Sequence, residues 1–295
     1  MSGGTQVKYT VCPLDCPDTC RVVAHVEDGK VVRLAGNTHH PITRGFLCNK
    51  MYRYLDRVYG EHRIRSPLIR KGAKGKGLFQ PIGWDEAITR ISKRFQEIVS
   101  RHGGESILPY SYSGTMGLLN NGGMDRRFFH RLGASRLART ICSSAGKIGY
   151  WYTTGAAYGA DPEGIPQARL IIGWGANTLA SNIHLVPLLD EARRKGALYV
   201  HINTQRSKLA EKADLFLQPL PGTDAALALG MMNVIVAENL YDHDFVANHT
   251  EGFDELRARL EEYPPENVVR ITDVPTDAIR RLAGLYATTK PALIR

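Results

Sequence analysis

A chain of 295 residues is about twice the usual single-domain prior, so two lobes or one large α/β unit are expected. Hydrophobic residues make up 43% and charged residues 23%, with 29 glycines and 15 prolines, a balance that excludes disordered, collagen-like and coiled-coil classes. The formal charge of +9 is unevenly placed: Lys50 to Lys76 holds nine basic residues against Asp56 and Glu61, a local field that attracts phosphates but that a solvated face would also show. No apolar run reaches the ~18 residues of a membrane span. Met1 to Val11 has neither a signal-peptide pattern nor a twin arginine, so a cytoplasmic location is expected.

The first feature along the chain is a cysteine quartet. Cys12, Cys16, Cys20 and Cys48 are spaced C-x3-C-x3-C-x27-C. A cytosolic chain of this size has little use for disulfides, which makes metal binding the better reading. Structural zinc sites pair their ligands as two short C-x2-4-C steps, whereas three close cysteines plus a distant fourth suit a cubane cluster wrapped by a loop. The spacing therefore favours iron–sulfur and leaves zinc as the alternative. Lys50, two residues after Cys48, could set its ammonium against the thiolates.

Around the quartet, Lys8 to Thr10, Arg21 to Val26 and Lys30 to Leu34 alternate polar and apolar residues, with Asp28-Gly29 as a hairpin signal. A small β-rich domain over residues 1–70 follows. Ser66 to Gly77, rich in glycine and lysine, is read as a connector, with an α/β region over 78–295 beyond it. Trp84, Ile88, Ile91, Phe95, Ile98 and Val99 recur at helical spacing up to Gly103-Gly104, a stripe expected in the core. Ser106 to Pro109 and Leu170 to Ile172 read as strands, Asn182 to Lys195 as a helix and Leu198 to Ile202 as a strand. Thr223 to Glu238 and Thr276 to Thr288 read as helices, and Ala292 to Arg295 as the start of a strand. This alternation predicts a doubly wound, mostly parallel sheet.

Ligands of such sheets sit at the carboxyl ends of the strands. Those ends read Gly173-Trp174-Gly175-Ala176-Asn177 and Asn203-Thr204-Gln205-Arg206. The glycines would let the backbone approach a phosphate, but Thr178 replaces the third glycine of a dinucleotide fingerprint. The second strand ends in Asn203 where an NAD site wants an acid. NAD is therefore disfavoured. A third loop, Pro221-Gly222-Thr223-Asp224, suits a purine edge or a plain helix cap. His39, His40, His184 and His201 lack partners at metal spacing and read as structural.

The run Cys12-Pro13-Leu14-Asp15-Cys16-Pro17-Asp18-Thr19-Cys20, with Gly45 to Lys50, resembles the cluster domain of the dimethyl sulfoxide reductase superfamily, molybdenum or tungsten oxidoreductases carrying bis-molybdopterin guanine dinucleotide. The resemblance continues through Trp84-Asp85-Glu86-Ala87, Gly173 to Asn177, Lys212-Ala213-Asp214, Pro221 to Leu227 and Glu251-Gly252-Phe253, nearly the whole chain. It implies a 4Fe-4S cluster on Cys12, Cys16, Cys20 and Cys48, with Lys50 as an electron bridge toward the pterin. It implies a guanine dinucleotide held by the loops carrying Gly173, Gly175 and Asn177, Asn203, Gln205 and Arg206, and Gly222, Thr223 and Asp224. Cys142 stands where the family places a side-chain ligand to the metal, a thiolate that donates charge to a metal changing oxidation level. Ser143 follows it where formate-oxidising relatives carry histidine, which turns the reading away from formate.

A small-molecule substrate and an electron-transfer partner are implied. Relatives are longer, so a second cofactor-binding half and a C-terminal cap are expected after Arg295. Two other readings compete: a split or truncated cluster-binding electron-transfer piece without catalysis, and a basic zinc module for nucleic acid. The basic run shows no base-reading fold, so nucleic acid is not expected as a partner. No G-x-S-x-G or Walker sequence supports hydrolytic or P-loop chemistry.

Overall fold

The computed structural model describes residues 4–111 and 123–295, except for the side chain of Cys142. By its internal contacts the chain forms two compact units, one of residues 1–15, 20–36 and 49–158, the other of residues 16–19, 37–48 and 159–295.

In the first unit, β1 (Gln6–Val11), β2 (Arg21–Glu27) and β3 (Lys30–Gly36) form an antiparallel sheet in the order β1-β2-β3. Asp28 and Gly29 both take positive φ, 47° and 75°, the twist a two-residue hairpin needs, so the Asp-Gly signal gives the turn expected. Two short helices follow, α1 (Asn49–Tyr52) and α2 (Tyr54–Tyr59). The glycine-rich stretch 71–78 joins β4 (Leu68–Arg70) to its antiparallel partner β5 (Phe79–Pro81) and lies within this unit. Helices α3 (Trp84–His102), α4 (Met124–Leu132) and α5 (Cys142–Thr154) complete it.

Two expectations fail here. Ser106 to Pro109 is no strand: Gly104–Ser106 is a 3-10 turn, the Ile107 carbonyl accepts from Ser135, and Pro109 has no N–H to offer a ladder. The apolar stripe of α3 is only partly core. Phe95, Ile98 and Val99 are half-buried, with Phe95 6.3 Å from Phe128, whereas Trp84, Ile88 and Ile91 are exposed. Among the described residues a packing partner reaches only the C-terminal half of the helix.

The second unit is built on a four-stranded, all-parallel sheet in the order β8-β7-β6-β9, formed by β6 (Leu170–Trp174), β7 (Leu198–Ile202), β8 (Leu215–Leu217) and β9 (Ala292–Ile294). Its helices are α6 (Thr178–Ser181), α7 (Leu185–Arg194), α8 (Asp224–Ala237), α9 (His243–His249), α10 (Phe253–Leu260), α11 (Pro265–Thr272) and α12 (Thr276–Thr288). Because strand side chains alternate, Leu170, Ile172, Val200, Ile202 and Leu217 face one side, where they pack with Leu227, Met231 and Val234 of α8 and Ile279 and Leu282 of α12. Ile171 and Tyr199 face the other side and meet Leu185, Leu188 and Leu189 of α7. Burial on both faces is why these strands are apolar runs without a polar face. The expected doubly wound, mostly parallel α/β region after a small β-rich region is what the chain forms.

Leu282 is fully buried in this core. Truncation removes its transfer energy and leaves a cavity, so Leu282→Ala is expected to cost about 2–5 kcal/mol, read as a lowered urea midpoint.

Candidate cofactor site

The carboxyl ends of β6, β7 and β8 bring the three expected loops together. Trp174 donates from Nε1 to Asp224 Oδ1 at 2.8 Å, which joins the first loop to the third. Gly175 N–H donates to the Ile202 carbonyl, Asn203 N–H to the Leu217 carbonyl, and Gln218 Nε2 to the Thr204 carbonyl, which ties the second loop to both neighbours. Gly173 is required by packing, since a Cβ there would lie 2.6 Å from the Tyr199 hydroxyl. Asn203 Oδ1 accepts from Gln205 N–H in an Asx turn, leaving Gln205 and Arg206 exposed beside exposed Asn177 and Gly222. Arg206 lies over the Phe216 ring at 4.8 Å. The plain helix-cap reading of Thr223 fails in its side chain: the hydroxyl donates back to the Leu220 carbonyl at 2.7 Å rather than closing the first turn of α8.

Beneath the second loop, His201 is fully buried. Its Nδ1 faces the Tyr199 hydroxyl at 2.8 Å and its Nε2 the Ser207 hydroxyl at 3.2 Å. Burial lowers the His201 pKa from its ordinary 6.5 and holds the Tyr199 phenol well above its usual value, so the neutral ring bridges two hydroxyls. Between pH 6.5 and the lowered value the unfolded chain takes up a proton that the folded chain refuses. Stability is therefore expected to fall as pH drops below about 6.5, and His201→Gln to flatten that slope in thermal unfolding measured from pH 7.5 to 5.

Of the four N-terminal cysteines, Cys20 and Cys48 are buried and Cys12 and Cys16 partly so. In the first unit, Cys12 N–H donates to the Cys20 carbonyl at 2.9 Å, and Cys12 Sγ accepts from Leu14 N–H at 3.5 Å, the kind of backbone donor a thiolate ligand needs. Cys16 and Cys48 belong to the second unit. Among the described residues no three His, Cys, Asp or Glu side chains are gathered as ligands of one metal ion. A cubane asks for something different, since each thiolate binds its own iron corner, and four cysteines, one of them with a backbone N–H at its sulfur, suit that donor chemistry. Lys50 is exposed in α1, and all nine basic side chains from Lys50 to Lys76 are exposed. Cys142 is the first residue of α5; its side chain lies outside the described residues.

A residue that sequence reading set aside stands at the N-cap of α7. His184 is 1% exposed; its Nδ1 lies 2.7 Å from Asp18 Oδ2 and its Nε2 3.0 Å from the Phe46 carbonyl. Burial raises the Asp18 pKa, but the bonds from His184 and Asn182 outweigh it and leave that carboxyl below its ordinary value. No local signal could have paired residues 166 positions apart.

Known proteins resemble this chain along nearly its whole length. Residues 5–60 match the molybdopterin oxidoreductase Fe4S4 domain, and residues 63–294 match the molybdopterin oxidoreductase model. The chain is 47% identical to Probable oxidoreductase YoaE of Bacillus subtilis over 97% of its own length and 42% of the relative's. It is 32% identical to formate dehydrogenase H of Escherichia coli, over 97% of this chain and 40% of that one. The solved acetylene hydratase from Pelobacter acetylenicus superposes with a TM-score of 0.74 at 32% identity, covering 97% of this chain and 40% of that one. The chain thus spans about two fifths of the length of the relatives it matches. No helix among the described residues is long and apolar enough to cross a membrane. The match over residues 5–60 sets an iron–sulfur domain where zinc was the alternative, and the two domains together are those of a 4Fe-4S cluster and a molybdopterin-bound molybdenum or tungsten. With both models covering nearly every residue in the same order as the motifs, the chain belongs to the molybdopterin oxidoreductase family.

Proposed function

We propose that this chain is part of the catalytic region of a molybdopterin-dependent oxidoreductase acting on a small molecule, with residues 1–70 as cluster domain and 78–295 as guanine-dinucleotide-binding region. The observation that carries the reading is the C-x3-C-x3-C-x27-C quartet within the stretch matched by the Fe4S4 model. When bound, the molybdenum or tungsten centre supplies two-electron chemistry and the cluster a one-electron path.

The chain's own residues divide the remaining work. Cys12, Cys16, Cys20 and Cys48 supply four thiolates, whose charge Leu14 N–H and neighbouring donors moderate. Lys50 carries a positive charge two residues after Cys48, where it favours the reduced cluster and bridges toward the pterin. Beyond Gly173, which packing on Tyr199 requires, Gly175 and Asn177 offer exposed backbone and an exposed amide at the end of β6, Asn203, Gln205 and Arg206 a turn with an exposed guanidinium, and Gly222, Thr223 and Asp224 a polar edge braced through Trp174. Cys142 supplies the protein ligand to the metal. The exposed basic run from Lys50 to Lys76 offsets the cofactor's phosphates or receives an acidic electron-transfer partner. A dehydrogenase and a hydratase match this chain at the same 32% identity, so overall likeness does not select the substrate.

Anaerobic purification with assays for iron, acid-labile sulfide, molybdenum or tungsten, and released guanine nucleotide tests the reading. All four are expected. Iron and sulfide without molybdenum or tungsten would favour a cluster-binding piece without catalysis, and zinc in their place would overturn the reading.

A further inference from the structure

We propose that His184 is a positioning residue for the iron–sulfur cluster, an imidazole clamp that fixes the Cys16 and Cys48 segments against the sheet unit by gripping Asp18 through Nδ1 and the Phe46 carbonyl through Nε2. The inference rests on the cluster reading above and adds to it a residue outside the cysteine motif. Asp18 lies two residues from both Cys16 and Cys20, and Phe46 two residues before Cys48. His184 thus meets both ligand-bearing segments from one ring, at 2.7 Å and 3.0 Å, and its ring packs on Phe46 with centroids 4.7 Å apart.

The clamp is built rather than incidental. Asp18 and His184 are each 2% exposed or less, and a carboxylate buried to that degree persists only when its oxygens are satisfied. Asn182 Nδ2 donates to Asp18 Oδ1, and the His184 backbone N–H adds a third donor at 3.5 Å. Arg295 in turn donates to Asn182 Oδ1 at 3.1 Å, which fixes the amide's orientation. The exposed Arg44–Glu191 pair at 3.0 Å is a second tie between the Cys48 segment and α7, of the weak surface kind. A loop whose thiolates must hold a cluster at fixed geometry gains its rigidity from such outer contacts.

The test compares the anaerobically purified full chain with His184→Leu, His184→Gln, Asp18→Asn and the core substitution Leu282→Ala. Iron and sulfide content, the rate of iron release to a chelator, and the EPR spectrum of the reduced cluster are measured. His184→Leu is expected to release iron about 10- to 100-fold faster, the range for loss of an outer-shell support, with altered g-values. Asp18→Asn shifts the same way, and His184→Gln, which keeps one side-chain donor, falls between. Leu282→Ala keeps wild-type release and spectrum despite its lower stability. Wild-type release and spectrum in both His184→Leu and Asp18→Asn would overturn the clamp, as would a Leu282→Ala effect of equal size. Should His184→Leu not fold, His184→Gln and Asp18→Asn decide alone. A wild-type chain lacking iron and sulfide would remove the cluster reading itself, a different failure from a cluster that ignores His184.

Discussion

Cys48→Ser is expected to strip the chain of most of its iron, its acid-labile sulfide and the brown absorbance of the cluster, while far-UV circular dichroism stays close to wild type. Serine is nearly isosteric, but its hydroxyl does not ionise near neutrality, so the corner iron loses a thiolate and gains no comparable donor. Cys48 is buried, and a cluster with one corner released there opens to solvent and chelators. The two cores of the sheet unit, centred on Leu170, Ile172, Val200 and Ile202 on one face and Ile171, Leu188 and Tyr199 on the other, do not include Cys48. The fold therefore has no reason to fail with the colour. Persistence of full absorbance and sulfide would take Cys48 out of the ligand set. Loss of both colour and helical signal would assign it to packing instead.

What the sequence made legible is what local chemistry decides. The Asp28-Gly29 turn, the two-period strands β1 to β3 and the apolar runs of β6 and β7 are written within a few residues of themselves, and each formed where expected. The loops at Gly173, Asn203 and Gly222 were legible as strand ends, but the bond from Trp174 to Asp224 spans fifty positions and depends on the sheet order. The grip of His184 on Asp18 spans more than three times that distance, and as sequence it was only one more histidine near a helix. Ser106 to Pro109 misled for the opposite reason: its residues suit a strand, but a strand exists only beside another strand, and the Ile107 carbonyl went to Ser135. The stripe of α3 likewise announced an apolar face without saying how much of it the described residues would cover.

Cys142→Ala is expected to leave the cluster's absorbance and EPR spectrum unchanged and to lower turnover of the complete enzyme by more than about 100-fold, beyond what loss of a mere outer-shell contact costs. The separation of readouts is the point of the experiment. Cys142 lies 94 positions from Cys48, outside the stretch matched by the Fe4S4 model, so a cluster effect has no route through the motif. It is the first residue of the thirteen-residue helix α5, and in the proposed role it acts as a thiolate, the form a metal ligand takes. Alanine removes the sulfur without disturbing helix propensity, since no residue is better tolerated in a helix. Cys142→Ser sharpens the result, because an oxygen at the same position returns a harder, weaker donor and should recover part of the turnover if ligation is the role. Equal activity in wild type and Cys142→Ala would reduce this thiol to a small apolar side chain at a helix start, and the protein ligand to the metal would have to come from elsewhere in the enzyme.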